Sequence, residues 1–241
     1  WHSRFFFHNL AISAIASAVT LRYFYLRHHT IKSIEAQSQA RIQALQARIR
    51  PHFLFNSMNT IASLTRSDPR LAEQAVEDLA DLFRVTFTDT FNLVPLRDEI
   101  KLCKRYLDIE TLRLGKRLNV EWDEGCFSED ALIPVLTLQP LLENAVFHGI
   151  EPLAQGGTIT ITSERRGRLI AISICNPVKQ DRDNTTRRGH NIALKNVSQR
   201  LAAHYGKSGR LEIKHTERQF EVCVIFPYTT HSDSPQEQQE P

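Results

Sequence analysis

Pro51-His52-Phe53-Leu54-Phe55-Asn56 places a proline, an imidazole and two aromatic rings in the middle of a polar helical run, and its flanks decide the fold. Upstream, Ile31, Ile34, Ile42, Leu45 and Ile49 mark the narrow seam of a coiled coil or four-helix bundle, with Ser38 filling the gap. Pro51 removes a backbone N–H and frees the carbonyl of Ala47, which predicts a local bend. Downstream, Met58, Ile61 and Leu64 carry the helix to Thr65-Arg66-Ser67-Asp68-Pro69, a cap residue followed by proline at the first helical position. A second helix follows with Ala72, Ala75, Leu79, Leu82 and Phe83 on one face. Two antiparallel helices cannot bury both faces alone, so the pattern predicts a hairpin that dimerises with a second copy.

The texture changes after this hairpin. Residues 96–114 read as a third helix, opened by Pro95, with Asp98 and Glu99 in its first turn and Gly115 as its stop. Alternating, β-branched stretches at 117–122, 158–162, 169–174, 210–214 and 219–226 predict strands. Helical runs at 135–148 and 192–205 lie between them. Strands and helices mixed with hairpins read as an α+β sandwich. Residues 229–241 are mostly Ser, Gln, Glu and Pro and are expected to be disordered.

Composition narrows the function classes. The 241 residues are 24% charged and 41% hydrophobic, near globular averages, which excludes collagen-like and low-complexity chains. Thirty Lys+Arg against 27 Asp+Glu leave a net charge of only +3, without the basic bias of a dedicated nucleic-acid binder, so direct nucleic-acid binding is not expected. Four cysteines, Cys103, Cys126, Cys175 and Cys223, lie far apart, against a disulfide framework or zinc cage. Trp1 in place of Met suggests a piece of a longer chain. Residues 5–21 carry no formal charge and precede Arg22, Arg27, His28, His29 and Lys32. With Arg22 snorkelling, the run extends to Leu26 and approaches the roughly 20 residues a membrane helix needs. Tyr23 and Tyr25 suit the interface, and the basic flank would face the cytoplasm. A signal peptide cleaved near Ala16-Ser17-Ala18 and a buried soluble helix compete with this reading. The expectation is the last span of a truncated membrane domain.

Three places could do chemistry. Neutral imidazole is a competent nucleophile near neutral pH, so His52, with Asn56 one turn on to orient it, could accept a phosphoryl group; a lone helical histidine is otherwise solvated or packed. In Gln139-Pro140-Leu141-Leu142-Glu143-Asn144-Ala145-Val146-Phe147-His148-Gly149 the leucines, Ala145 and Val146 form a core face, flanked by Asn144 and His148, with Glu143 about 100° away. Such oxygens at a pocket edge suit Mg²⁺, and the same pair would also fit an exposed helix edge. Asn176-Pro177 ends a strand, and Gly189-His190-Asn191-Ile192-Ala193-Leu194-Lys195-Asn196 opens a helix, a natural phosphate site reinforced by Arg187, Arg188 and Lys195. The polar segment between them reads either as a lid over a nucleotide or as an ordinary surface loop.

Taken in order, Pro51–Asn56, Leu138-Gln139-Pro140-Leu141-Leu142-Glu143-Asn144-Ala145 and Leu194-Lys195-Asn196-Val197-Ser198-Gln199-Arg200-Leu201 resemble sensor histidine kinases of the LytS/AlgZ (FimS) type, with the alginate-regulator branch nearest. The stretch Leu107-Asp108-Ile109-Glu110-Thr111-Leu112-Arg113-Leu114 resembles that family's linker helix. The resemblance covers about residues 34 to 226 and implies an ATP-dependent, homodimeric protein histidine kinase of the bacterial inner membrane, its catalytic part in the cytoplasm. It would phosphorylate itself on His52 and pass the phosphoryl group to an aspartate of a response regulator. The resemblance implies a dimerisation and phosphotransfer hairpin (28–94), a linker helix (95–116) and a Bergerat (GHKL) ATP-binding domain (117–228), between the membrane helix (1–27) and the tail (229–241) read from the residues. Asn144 matches the magnesium-binding asparagine, with Glu143 and His148 in the same box. Asn176 stands where an aspartate usually receives the adenine amino group. Gly189, His190, Asn191, Lys195 and Asn196 match the phosphate-holding loop and helix. Val178, Asn191 and Ala193 replace expected glycines, which raises an alternative: a weakened, kinase-shaped scaffold that binds or dephosphorylates the regulator. A GHKL ATPase acting on DNA or protein clients is disfavoured, because the long hairpin presents an imidazole rather than a base for water attack.

Overall fold

The computed structural model describes residues 17, 20–28, 51–86, 92–123, 130–178 and 187–230. The chain divides into two compact units, Trp1–Arg50 and Pro51–Pro241. In the first, residues 20–28 are helical and expose Leu21, Tyr23, Phe24, Tyr25 and Leu26. Among the described residues no helix is long and apolar enough to cross a membrane. Most of the expected span, the seam at 31–49 and the bend before Pro51 lie outside the described residues, as does the expected disordered tail beyond residue 230.

The second unit starts with α1 (Pro51–Ser67) and α2 (Pro69–Thr86). Asp68 makes the turn between them, its Oδ1 accepting the N–H of Leu71 at 3.1 Å with Pro69 beginning the helix, as predicted. Ala72, Ala75, Leu79 and Leu82 are buried along the inner face of α2, and Ile61 is buried on α1. Phe55 and Met58 of α1 and Val76 of α2 remain exposed.

A three-residue strand, β1 (Leu93–Pro95), leads into α3 (Leu96–Leu114), whose limits match the sequence reading. Gly115 ends it at φ +58°, a backbone angle glycine adopts without the Cβ clash. After β2 (Leu118–Asp123), β3 (Leu132–Pro134) pairs antiparallel with β1. This small sheet was not anticipated, because three residues are too few to show alternation.

The predicted helix at 135–148 starts later. Residues 135–138 form a turn with Leu136 at φ +58°; α4 is Gln139–Asn144 and continues as a π-helical turn, Ala145–Ile150. Pro140 in the first turn and the capture of turn N–H groups by a carboxylate set that start. Then come β4 (Gly157–Arg166), β5 (Leu169–Pro177), α5 (Arg187–Tyr205), β6 (Arg210–His215) and β7 (Gln219–Pro227). Helix α5 begins five residues before the predicted Ile192, so Gly189 lies inside its first turn. A single glycine does not break a run in which Ala193 and the arginines favour helix.

The five-stranded sheet has the order β2-β4-β5-β7-β6, parallel between β2 and β4 and antiparallel elsewhere. Ile159, Ile161, Ile170, Ile172, Ile174, Val222, Val224 and Phe226 are buried on one side, in a continuous cluster with Leu141, Leu142, Val146, Leu194, Val197 and Leu201 of the helices. The architecture is the predicted α+β sandwich with a mixed sheet. It puts the Asn144 helix, the end of β5 and α5 side by side.

Candidate nucleotide and phosphotransfer site

His52 sits in the first turn of α1 with its side chain exposed. Its neighbour Phe53 turns inward, and the Phe53 and Tyr106 rings are 5.2 Å apart between centroids, joining α1 to α3. Asn56 is half-buried one turn on, and its backbone carbonyl accepts the Thr60 hydroxyl at 3.0 Å. Among the described residues no hydrogen bond joins Asn56 to the imidazole, so the orienting partner expected from the sequence is not seen in that role.

Asn144 is 2% exposed at the junction of α4 and the π-helical turn. Glu143 is half-buried and its Oε1 accepts Gln139 Nε2 at 3.1 Å. Gln139 Oε1 is buried with no hydrogen-bond partner among the described residues. The donor set is therefore hard and oxygen-rich: the Asn144 amide, the Glu143 carboxylate and the spare Gln139 carbonyl. That chemistry fits Mg²⁺. His148 is half-buried, its ring set edge-on against Phe147 with centroids 4.8 Å apart.

Asn176, buried at the end of β5, donates Nδ2 to the Pro177 carbonyl at 2.8 Å. It faces the π-helical turn at Gly149, where a Cβ would meet Asn176 Nδ2 at 2.2 Å. In the sequence Gly149 only closes the stretch from Gln139; its contact with Asn176 needs the fold to become visible. Val178, in place of an expected glycine, donates its N–H to the Arg218 carbonyl at 3.1 Å and packs against the core. Gly189, His190 and Asn191 lie in the first turn of α5, their side chains outside the described residues, while Lys195 and Asn196 are exposed one to two turns on. The structure thus brings Asn176 against the π-helical turn at Gly149; that turn carries His148 and continues the helix of Glu143 and Asn144. Among the described residues no contact joins them to His52.

Two residues of the surroundings were missed. Glu99, 1% exposed, accepts the N–H groups of Leu136 and Leu138 at 2.9 Å each and of Gln139 at 3.4 Å. Burial holds its carboxyl above the ordinary range despite these bonds. In the sequence it read as one of two acids in a helix's first turn. Arg200 Nη1 donates to the carbonyls of Val135 and Leu136 at 2.6 Å each. Further along α3, Arg113 pairs with Glu110 and with Glu151 just past the π-helical turn. Burial is the main reason the Glu110 carboxyl is pushed up, with Arg113 opposing it.

A family model described as histidine kinase matches residues 40–118. The chain is 34% identical over 173 residues to the sensor histidine kinase BtsS of Escherichia coli K12, covering 71% of this chain and 31% of that protein. It is 32% identical over 204 residues to the putative uncharacterized protein YwpD of Bacillus subtilis, covering 80% and 72%. The chain belongs to the sensor histidine kinase family. The sensor protein LytS of Oceanobacillus iheyensis is 28% identical over 240 residues, covering 92% of this chain and 41% of that protein. The chain thus spans a third to two fifths of the two named sensor kinases. The histidine kinase match includes His52 and α3, so the exposed imidazole and the helix that its neighbour Phe53 packs on fall within the matched segment.

Proposed function

We propose that this chain is the kinase core of a two-component sensor of the LytS/AlgZ type, a homodimer that transfers the γ-phosphoryl group of ATP to His52 and then to an aspartate of a response regulator. The AlgZ (FimS) branch is the finer part of this reading and rests on the motif resemblance. The observation that carries the proposal is the exposure of the His52 side chain at the start of α1. An imidazole nitrogen lone pair attacks the γ-phosphorus, the P–N bond forms as the bond to the β,γ-bridging oxygen breaks, and ADP leaves. Residues 117–228 form the Bergerat ATP-binding domain. With its Nδ2 given to Pro177, Asn176 has its carbonyl oxygen left to accept from the adenine amino group. Asn144, with Glu143 and Gln139 near it, would hold Mg²⁺, which when bound neutralises phosphate charge. His148, Gly189, His190, Asn191, Lys195 and Asn196 complete the nucleotide surface. Residues up to 27 anchor the chain in the inner membrane, with the kinase part in the cytoplasm.

One observation favours the scaffold alternative: α5 starts at Arg187 and takes Gly189 into its first turn, leaving no other glycine there to shape a phosphate loop. ATP titration with Mg²⁺ separates the readings. The kinase reading expects saturable binding that Asn144→Ala weakens by about tenfold or more, in line with loss of a hydrogen bond to a charged group. Absence of binding at millimolar ATP, with regulator binding retained, would establish the scaffold instead.

A further inference from the structure

Helix α3 lies along the Asn144 helix and holds it at both ends. Glu99, Cys103 and Glu110 fall on one stripe of α3 that spans about 16 Å. At one end the Glu99 carboxylate takes the N–H groups of Leu136, Leu138 and Gln139, and the Gln139 side chain passes the chain of bonds on to Glu143. In the middle Cys103 is fully buried, its thiol pushed well up by burial and by Glu99 and Glu143. At the other end Arg113 ties Glu110 to Glu151.

Arg200 reaches the same turn from α5, the helix that opens with the phosphate-loop residues, and donates to the carbonyls of Val135 and Leu136. Turn 135–139 is therefore gripped twice, its N–H groups by a carboxylate and two of its carbonyls by a guanidinium. Within it Leu136 keeps φ +58°, which a branched side chain holds only when its surroundings enforce it.

We propose that Glu99 and Arg200 are positioning residues for the nucleotide site: by locking turn 135–139 between α3 and α5, they hold Asn144 and the start of α5 at one fixed spacing. The inference rests on the nucleotide reading above and adds how its two halves are kept in register. Glu99 acts through Gln139 and α4, and Arg200 through the turn carbonyls. Because Tyr106 of α3 meets Phe53 beside His52, the helix that Glu99 anchors is also the one the phosphoacceptor helix packs on.

The test uses the full chain with Glu99→Gln, Arg200→Lys and the double variant. Glutamine keeps one acceptor oxygen but turns a donor toward a backbone N–H, and lysine keeps the charge without the fork. Labelling of His52 is followed against MgATP concentration, beside the thermal midpoint of each variant. The expected result is a KM raised by about tenfold or more in each single variant, with kcat changed less, because a misplaced site weakens nucleotide capture. The double variant is expected to be no worse than the worse single one, since both act through one turn. Single variants with the parent KM would overturn the proposal, and so would losses that multiply in the double variant or vanish when all are compared equally far below their own midpoints. If Glu99→Gln fails to fold, Arg200→Lys alone decides by the same split. A parent chain that takes up no nucleotide overturns the kinase reading and this role together, whereas an active parent with unaffected variants removes only the clamp.

Discussion

The hydrogen on the Cα of Gly149 is what lets Asn176 sit where it does. A methyl group there would lie 2.2 Å from Asn176 Nδ2 and 2.8 Å from its Cγ, distances no relaxed structure tolerates. Gly149→Ala is therefore expected to push the amide off the Pro177 carbonyl, at a cost of about 1–3 kcal/mol in stability and with a loss of nucleotide affinity. A denaturant midpoint and an ATP titration of the same variant check both. Unchanged affinity would separate Asn176 from the adenine site. The sequence placed Glu143 and Asn144 on one helix and Asn176 at a strand end, because residue type and spacing are local facts. It did not show the role of Glu99, since a first-turn acid looks the same whether it faces water or three distant N–H groups. Nor did it show that, among the described residues, no hydrogen bond would join Asn56 to the imidazole.

Helices and strands were legible where their periodicity was long. The third helix was read to its last residue, because Pro95 and Gly115 bracket it, and all five strands of the main sheet were found. Boundaries moved where tertiary contacts overruled local pattern: the Glu99 and Arg200 contacts shape turn 135–139 and delay α4, and helix propensity draws α5 back to Arg187. Helix α5 is fastened at its far end by Tyr205, whose hydroxyl donates to the Leu132 carbonyl at 2.6 Å while its ring stacks on Phe226. Burial pushes this phenol up from 10.0 to about 12. The folded state thus favours the protonated form, so Tyr205 contributes its full stability below about pH 10, and that contribution is lost as pH rises through about 12. Tyr205→Phe is expected to be less stable than the parent by about 1 kcal/mol at neutral pH, from the lost hydrogen bond. The gap should shrink between pH 10 and about 12, as denaturation midpoints taken across that range would report. A gap that stays constant or widens would contradict the burial of the neutral phenol.

At the scale of the molecule, one unit from Pro51 onward joins a helical hairpin, a splinting helix and a mixed α+β sandwich in a single core. Histidine kinase membership follows from the comparisons, and the order of its motifs was readable because each is short and local. The distance between His52 and the Asn144–Asn176 region was not readable, and among the described residues no hydrogen bond, ion pair or ring contact bridges them. The proposed phosphoryl transfer would require the two regions to meet by motion or across a dimer, and Phe55, Met58 and Val76 are exposed on the hairpin. The direct measurement is to incubate the chain with γ-labelled ATP and Mg²⁺, map the label under conditions that preserve P–N bonds, and repeat with His52→Ala. Label confined to His52, lost in acid and absent from a variant that keeps the parent's thermal midpoint, is the predicted result. Label that persists in His52→Ala, or that survives acid as a phosphoserine would, contradicts the account.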